Sequence, residues 1–292
     1  MMKKSYFYML VAVAVMAVSC TKNETPSTTA PDQAITIVAN VSPQSRVPQL
    51  DSDGAGSFTK GDVMTLCVVK DEGNHLSMNY AYQMDEITWG GLNLSENTEQ
   101  VKFSACYPKQ TLTQDGMFEF NVLTASDKDL LLSSAQTVAL TSKEVNLNFN
   151  HALHRLDLSF TAGEGYSTDD LKDLSLSMNA NTVCVVDAFQ GKISEVKSVK
   201  GDYTSKGAMA SFYLLPQGTD GITLDVTMDG KVQHLILRDL FQQLNNPQET
   251  LKGGMKSAVT LKIAREKGIS VEGGSIGAWE DQVTVDGEVT IG

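Results

Sequence analysis

The chain has 292 residues, of which 41% are hydrophobic and 20% charged, and its formal net charge at pH 7 is −12. So acidic a chain is a poor partner for nucleic acid and for anionic lipid headgroups, both of which attract basic surfaces. The length allows one or two domains of ordinary size.

Residues 1–19 predict a signal peptide. Lys3 and Lys4 form a short basic region, and an uncharged apolar run extends from Tyr6 to Val18. That run is shorter than the roughly 20 residues of a comfortable membrane span. Cys20 follows three small residues and resembles the cysteine of a lipobox, with Ala17 at the position where leucine is usual. We therefore expect cleavage before Cys20 and a covalent lipid on it, which would anchor the protein in a cell outer membrane. An ordinary secretory signal or an uncleaved anchor is the alternative.

Residues 20–33 predict a flexible tether. They are rich in Thr, Ser and Pro and contain no large apolar side chain, so they cannot bury themselves in a core. A tether has an obvious use after a lipid anchor and none after an ordinary signal, which favours the lipoprotein. Without residues 1–19 the chain has 21 basic and 35 acidic residues, a net charge of −14.

From residue 34 onward the pattern predicts β-strands nearly throughout. Ile35, Ile37, Ala39 and Val41 alternate with other residues at the period of a half-buried strand. Asp229-Gly230, between two alternating runs, predicts a β-hairpin. Short helices are predicted at 168–174 and 237–244. Runs rich in β-branched residues, Leu or Phe predict further strands at 63–69, 100–105, 116–122, 144–149, 155–160, 174–178, 210–215, 221–228, 231–237 and 258–263.

The number of short strands and the turns between them indicate β-sandwiches. Residues 161–165 form a small, polar break between two strand-rich halves, each long enough for its own core. We therefore predict an all-β protein with two β-sandwich domains in tandem, 34–160 and 166–292.

The sequence predicts no catalytic, cofactor or metal site, and hence no enzyme. His151 and His154 could share a metal if they lay on a helix, but the segment joins two predicted strands, so we expect a structural turn. No Gly-x-Ser-x-Gly elbow or phosphate-binding loop is present. The scattered carboxylates neither support nor exclude a glycosidase pair. For Trp89 and Trp279 we expect core packing in preference to a sugar site.

Three cysteines remain once Cys20 carries lipid: Cys67, Cys106 and Cys184. They cannot all pair, so the chain has at most one disulfide. Cys67 and Cys184 lie in apolar, strand-like runs, where a free cysteine packs as a small hydrophobic residue. We favour three buried thiols, with a single disulfide as the alternative, and no two of them have the spacing of a zinc site.

Several short stretches, taken in order, resemble the fimbrillin-like family, the pilins and accessory lipoproteins of type V pili. The stretches lie at 57–62, 79–82, 101–108, 129–133, 145–156, 213–217 and 268–279. The resemblance implies two transthyretin-like β-sandwich domains, exposure on the cell surface or incorporation in a fimbria, and a role in adhesion.

The resemblance also implies a mechanism of assembly, in which a trypsin-like protease cuts after an arginine and removes the lipid and the first strand. Here the cut would follow Arg46. The strand removed would carry Ile35, Ile37, Ala39 and Val41, and a strand of another subunit would fill the groove. The donor strand would carry Val283, Val285, Val289 and Ile291, which share one parity. An open sheet edge accepts an added strand, and such a head-to-tail contact propagates.

Two interpretations stay open at this point. The first is a fimbrillin-like stalk or accessory tip subunit, with other pilus subunits, the outer membrane and a host or bacterial surface ligand as partners. The second is a monomeric outer-membrane surface lipoprotein that keeps its first strand and binds glycan or host protein. In the second case Arg46, which precedes Val47-Pro48, is an ordinary loop residue and the C-terminal tail is the last strand of its own domain.

Overall fold

The computed structural model describes residues 33–41, 58–71, 73–95, 97–125, 129–244, 248–278 and 286–290, with the backbone alone for 71, 278 and 286–290. The predicted signal peptide, Cys20, the tether up to residue 32, Arg46, Trp279, Val283, Val285 and Ile291 lie outside the described residues. Among the described residues no helix is both long and apolar enough to cross a membrane.

The prediction of an all-β protein is confirmed. The one α-helix of the described part, α1, is Leu237–Gln242, and a short 3-10 turn covers Asp170–Asp173. The strands are β1 Ala34–Val41, β2 Val63–Asp71, β3 Asn74–Ala81, β4 Ile87–Thr88, β5 Gln100–Tyr107, β6 Met117–Asn121, β7 Leu131–Ala139, β8 Glu144–His151, β9 His154–Ala162, β10 Ser175–Asn181, β11 Val183–Asp187, β12 Lys192–Val196, β13 Lys200–Lys206, β14 Met209–Leu214, β15 Thr223–Met228, β16 Lys231–Ile236, β17 Met255–Ala264, β18 Gly268–Ala278 and β19 Asp286–Thr290.

Local sequence explains most of these elements. In β8 the side chains alternate strictly between exposed and buried positions, as the period of a strand with one face in a core requires. The predicted hairpin at Asp229-Gly230 is confirmed, since β15 and β16 pair antiparallel with Met228 opposite Lys231. Both turn residues have positive φ, +50° and +71°, which is the conformation that Asp-Gly adopts readily in a two-residue hairpin.

The N-terminal half forms a seven-stranded sheet in the order β3-β2-β5-β7-β8-β1-β4. Its strand pairs are antiparallel except for β1 and β8, which run parallel. One face of this sheet encloses a hydrophobic core that includes Met64, Leu66, Phe103, Leu147 and Phe149, all fully buried. This core is where β1 places its apolar side chains.

The C-terminal half pairs a four-stranded sheet, β13-β10-β15-β16, with a five-stranded sheet, β14-β9-β17-β18-β19. Their inward side chains share one hydrophobic core, to which β9 gives Leu156 and Leu158, and β10 gives Leu176. Two sheets that enclose a common core in this way form a β-sandwich.

Two strands cross the predicted division between 34–160 and 166–292. β9, placed at the end of the first predicted domain, pairs with β14 and β17 of the C-terminal half. β6 pairs with β11 in a small three-stranded sheet with β12. The two halves are therefore joined by backbone hydrogen bonds as well as by the chain, and the exact division into two domains stays a prediction.

The three described cysteines are free and buried, as we expected. Cys67 and Cys106 lie on the face of the seven-stranded sheet that packs toward the C-terminal half, and Cys184 lies on β11 in the same core. Burial raises the pKa of each thiol to about 12. The thiols consequently stay protonated at neutral pH and have little of the reactivity that a thiolate would have.

Candidate strand-exchange site

Strand β1 is bonded to a neighbour on each side. Along β8 it runs parallel, in a register that places Thr36 opposite Glu144 and Val41 opposite Phe149. On its other side the first two residues pair antiparallel with β4. The Thr36 amide donates to the Lys143 carbonyl at 2.9 Å, and the Trp89 amide donates to the Gln33 carbonyl at 3.2 Å. β1 thus fills the space between β8 and the short strand β4.

The apolar stripe predicted on β1 is buried most deeply at its beginning. Ile35 and Ile37 are 5% and 3% exposed, and both belong to the N-terminal core. Ala39 and Val41 are half-buried and pack against the same core. Two isoleucine side chains therefore supply most of the apolar attachment, at about 1.5–3 kcal/mol for each fully buried side chain.

The side chains that surround β1 in this slot, the space between β8 and β4, are apolar. Val145, Leu147 and Phe149 of β8 are fully buried, and Trp89 is 2% exposed. The indole N–H of Trp89 donates to the Ser142 carbonyl at 3.0 Å. The expectation of core packing for Trp89 is thus confirmed, while Trp279 lies outside the described residues.

Removal of β1 would leave an open edge and an empty apolar slot. β8 would lose the partner of its backbone groups over residues 144–149, and the apolar side chains beneath β1 would meet water. An unpaired edge of this kind is a template for another strand. Main-chain hydrogen bonds would attach the new strand, and pockets for alternate side chains would select it.

The segment after β1 leads back into the core at Phe58. Its ring lies 4.8 Å from the ring of Phe149 and 5.4 Å from that of Tyr107, measured between centroids. Arg46 lies between β1 and this anchor, outside the described residues. It is the one Lys or Arg between Lys22 and Lys60 in the sequence, so a trypsin-like protease that cuts there would separate β1 from the rest of the chain.

The candidate donor strand is in part already paired. β19 lies at one end of the five-stranded sheet and pairs antiparallel with β18, with Val289 opposite Val271. This is the arrangement in which the tail serves as the last strand of its own domain. A donor role for Val283, Val285, Val289 and Ile291 stays a prediction, and it would require β19 to leave β18.

His151 and His154, the two histidines considered as metal ligands, both contact buried groups of the protein. The His151 ring lies 2.6 Å from Asp129, and both side chains are buried. The Nε2 atom of His154 lies 2.9 Å from the Ser257 hydroxyl, and its Nδ1 atom accepts from the Lys252 amide at 3.3 Å. In the described part of the chain no group of His, Cys, Asp and Glu has the geometry of a metal site.

We expect His154 to make the fold sensitive to mild acid. Burial lowers the pKa of its ring from 6.5 to about 4, so the unfolded chain takes up a proton at a higher pH than the folded protein does. Stability is then complete above pH 6.5 and falls by about 3 kcal/mol as the pH drops toward 4. Urea unfolding of the wild-type protein and of His154→Gln across this range tests the prediction. Equal pH dependence in the two proteins would contradict it.

Comparison with known proteins points to one family. A family model described as fimbrillin-like matches residues 45–279. No curated protein matches the chain.

Solved structures share the fold at low sequence identity. A provisionally assigned cell adhesion protein from Bacteroides uniformis is 18% identical, with a TM-score of 0.64 over 85% of this chain and 100% of that one. A second, from Bacteroides ovatus, is 16% identical, with a TM-score of 0.57 over 86% and 99%. A provisionally assigned adhesin from Bacteroides thetaiotaomicron is 12% identical, with a TM-score of 0.53 over 86% and 97%.

The structure adds residues that the sequence pattern did not place at the site. β4 is only two residues long, too short to show a period, and the antiparallel contact it makes with β1 depends on the fold. Phe58 stands in a polar stretch, and its ring contacts with Phe149 and Tyr107 depend on the fold. No local signal identifies either of them.

Proposed function

Because this chain belongs to the fimbrillin-like family, we propose that it is a cell-surface subunit that assembles by protease-triggered β-strand exchange and serves adhesion. The observation that carries the proposal is β1, an N-terminal strand seated between β8 and β4 with Ile35 and Ile37 in the core. A single cut after residue 41 and before Phe58 would leave β1 attached by non-covalent contacts alone.

The energetics favour replacement of β1 over simple loss. The slot is lined by side chains that are fully buried while β1 is present, and exposing them to water is unfavourable. A strand from a second subunit with apolar side chains at alternate positions would cover them again. Since donor and acceptor surfaces differ, the contact is heterologous and can extend into a fibre.

The adhesive role and the location rest on similarity and on the N-terminal sequence. The solved structures described above include proteins assigned provisionally to cell adhesion. The predicted lipid on Cys20 and the tether after it would hold the subunit at the outer membrane until cleavage. Its partners would then be other pilus subunits and a ligand on a host or bacterial surface.

A second candidate is a monomeric surface lipoprotein that binds glycan or host protein. It is favoured by the pairing of β19 with β18 within one molecule, since the uncut chain then has both its first and its last strand in place. In this case the protein keeps its lipid and functions without polymerisation.

Limited digestion with trypsin distinguishes the two candidates. The chain from Thr21 to Gly292 should give one early product that begins at Val47, followed by a ladder of denaturant-resistant oligomers on a gel. Arg46→Ala should block both events, whereas Arg46→Lys should preserve them. Early cleavage elsewhere, with Arg46 intact, would contradict the polymerising subunit and support the monomeric lipoprotein. A start at Val47 without oligomers would assign the donor strand to another kind of subunit.

A further inference from the structure

A cavity of about 390 Å³ lies on the seven-stranded sheet, on the face opposite the N-terminal core. Its lining comes from the β2–β3 hairpin, from β5 and β7, and from the turn between β11 and β12. The polar side chains among its lining residues are Lys70, His75, Gln100, Lys102, Thr137 and Gln190. We call it the β2–β5 cavity.

Four of the lining side chains form one row across the sheet. In the observed register His75 of β3 is opposite Val69 of β2, Val69 is opposite Lys102 of β5, and Lys102 is opposite Thr137 of β7. Neighbouring strands lie about 4.8 Å apart, so the row extends about 15 Å. In order along the row it presents the imidazole of His75, the aliphatic side chain of Val69, the ammonium group of Lys102 and the hydroxyl of Thr137.

Phe189 stands beside this row as an aromatic wall. Its ring centroid lies 4.4 Å from that of His75. The ring also packs against the backbone of Gly116, where a Cβ atom would come within 2.4 Å of the Phe189 ring. Gly116 also has a φ of +76°. Glycine is therefore favoured there both by the close approach of the ring and by the backbone conformation. The Phe189 ring consequently packs closely against the Gly116 backbone as part of the cavity wall.

The charged side chains that line the cavity, Lys70 and Lys102, are opposite in sign to the net charge of the protein. No described lining residue carries a carboxylate, although the chain after Cys20 has 35 acidic residues against 21 basic ones. Lys256 and Lys197 form ion pairs with Asp157 and Glu119. In contrast, Lys102 is exposed, and none of the ion pairs among the described residues involves it.

We propose that the β2–β5 cavity binds an acidic saccharide, a chain of sugar rings that bears a carboxylate. The Lys102 ammonium pairs with the carboxylate as a charge-assisted donor. Thr137, Gln100 and Gln190 exchange hydrogen bonds with sugar hydroxyls, and Phe189 and Val69 cover an apolar face of a ring. Polar groups that fix the orientation of the ligand, next to an apolar surface, are a feature of small-molecule sites.

This site deepens the adhesive part of the proposed function, on which it rests, but it is separate from strand exchange. The cavity uses β3, β2, β5 and β7, whereas β1 lies beyond β8 in the same sheet. The uncut monomer therefore already has the complete site. Failure to bind saccharide would therefore contradict the cavity site alone, whereas failure to polymerise would contradict strand exchange alone.

The test is calorimetric titration of the uncut chain from Thr21 to Gly292. The probes are trimers of galacturonic acid, trimers of glucuronic acid and sialyllactose, each compared with a neutral oligosaccharide of the same length. We expect at least one acidic probe to bind about tenfold more tightly than its neutral counterpart. Raising NaCl from about 50 to about 500 mM should weaken that binding several-fold, because the ion pair is exposed to screening.

Two substitutions that each remove one positive charge locate the site. Lys102→Met should weaken binding of the acidic probe about tenfold and leave neutral probes unaffected. Lys109 lies in a different and larger cavity that also contains Glu119. Lys109→Met should therefore leave the binding of acidic and of neutral probes unchanged. Gly116→Ala, which displaces the Phe189 ring, should weaken acidic and neutral probes alike. The proposal is overturned if no acidic probe exceeds its neutral counterpart, or if Lys109→Met and Lys102→Met have equal effects.

Discussion

Replacing Ile37 by aspartate should detach β1 and leave the remainder of the protein folded. Ile37 is 3% exposed in the N-terminal core, so the substitution removes about 1.5–3 kcal/mol of apolar burial. It also places an unpaired carboxylate among apolar side chains, which costs at least about a further 2 kcal/mol. Each backbone hydrogen bond to β8 and β4 contributes only about 1 kcal/mol net, so the substitution cancels the contribution of about four of them.

Hydrogen exchange and proteolysis measure this release. Amides of residues 34–41 and 144–149 should lose protection in Ile37→Asp, while those of β17 and β18 keep it. Cleavage after Arg46 should also become faster, and oligomers should form from the variant as acceptor. Asn40→Asp is the matched control, because it adds the same charge to an exposed position of the same strand. If β1 keeps its protection, or if the entire fold is lost in one transition, β1 is not an exchangeable strand.

Replacing Asp129 by alanine should lower the free energy of unfolding by about 3–5 kcal/mol. Asp129 and His151 are 4% and 6% exposed, and their side chains meet at 2.6 Å. A second oxygen of Asp129 accepts from the Leu130 amide at 2.9 Å. Without the carboxylate, the His151 ring and the Leu130 amide both lose this partner in a buried position, which is costly for buried polar groups.

The position of this pair explains why its loss should be cooperative. Asp129 lies two residues before β7, and His151 ends β8, where the chain passes from the N-terminal sheet into β9 of the C-terminal sandwich. Urea unfolding followed by fluorescence gives the size of the loss. Asp220→Ala, at an exposed turn, should cost less than about 0.5 kcal/mol. A loss below about 1 kcal/mol in Asp129→Ala would show that the pair contributes little.

Strand identity was largely available from the sequence. The alternation of Ile35 and Ile37 predicted β1, and Asp229-Gly230 predicted the β15–β16 hairpin. Both signals are local, since they depend on neighbours along the chain and on the conformations those residues adopt. β3 and β13 lacked such a signal because both lie at sheet edges and expose at least half of their side chains. The family was also evident from short stretches in order, and the match over residues 45–279 confirms it.

Strand partners were decided by the tertiary structure. β9 follows β8 after two residues, yet it pairs with β17, about a hundred residues further along, as the register of Leu156 with Ser257 shows. β6 likewise finds β11 of the other half. Such pairings depend on which apolar faces can be buried together, and the alternation within a strand is the same whichever neighbour it has.

The same distinction applies to the two candidate sites. The sequence by itself determined that residues 35–41 form a strand with one apolar face and that Arg46 follows it. Only the tertiary structure placed this strand between β8 and β4, and only the sheet register aligned His75, Lys102 and Thr137 beside Phe189. A strand's periodicity is fixed by backbone geometry over a few residues, whereas a groove or a cavity is formed by residues that are distant in sequence and meet only when the sheets assemble.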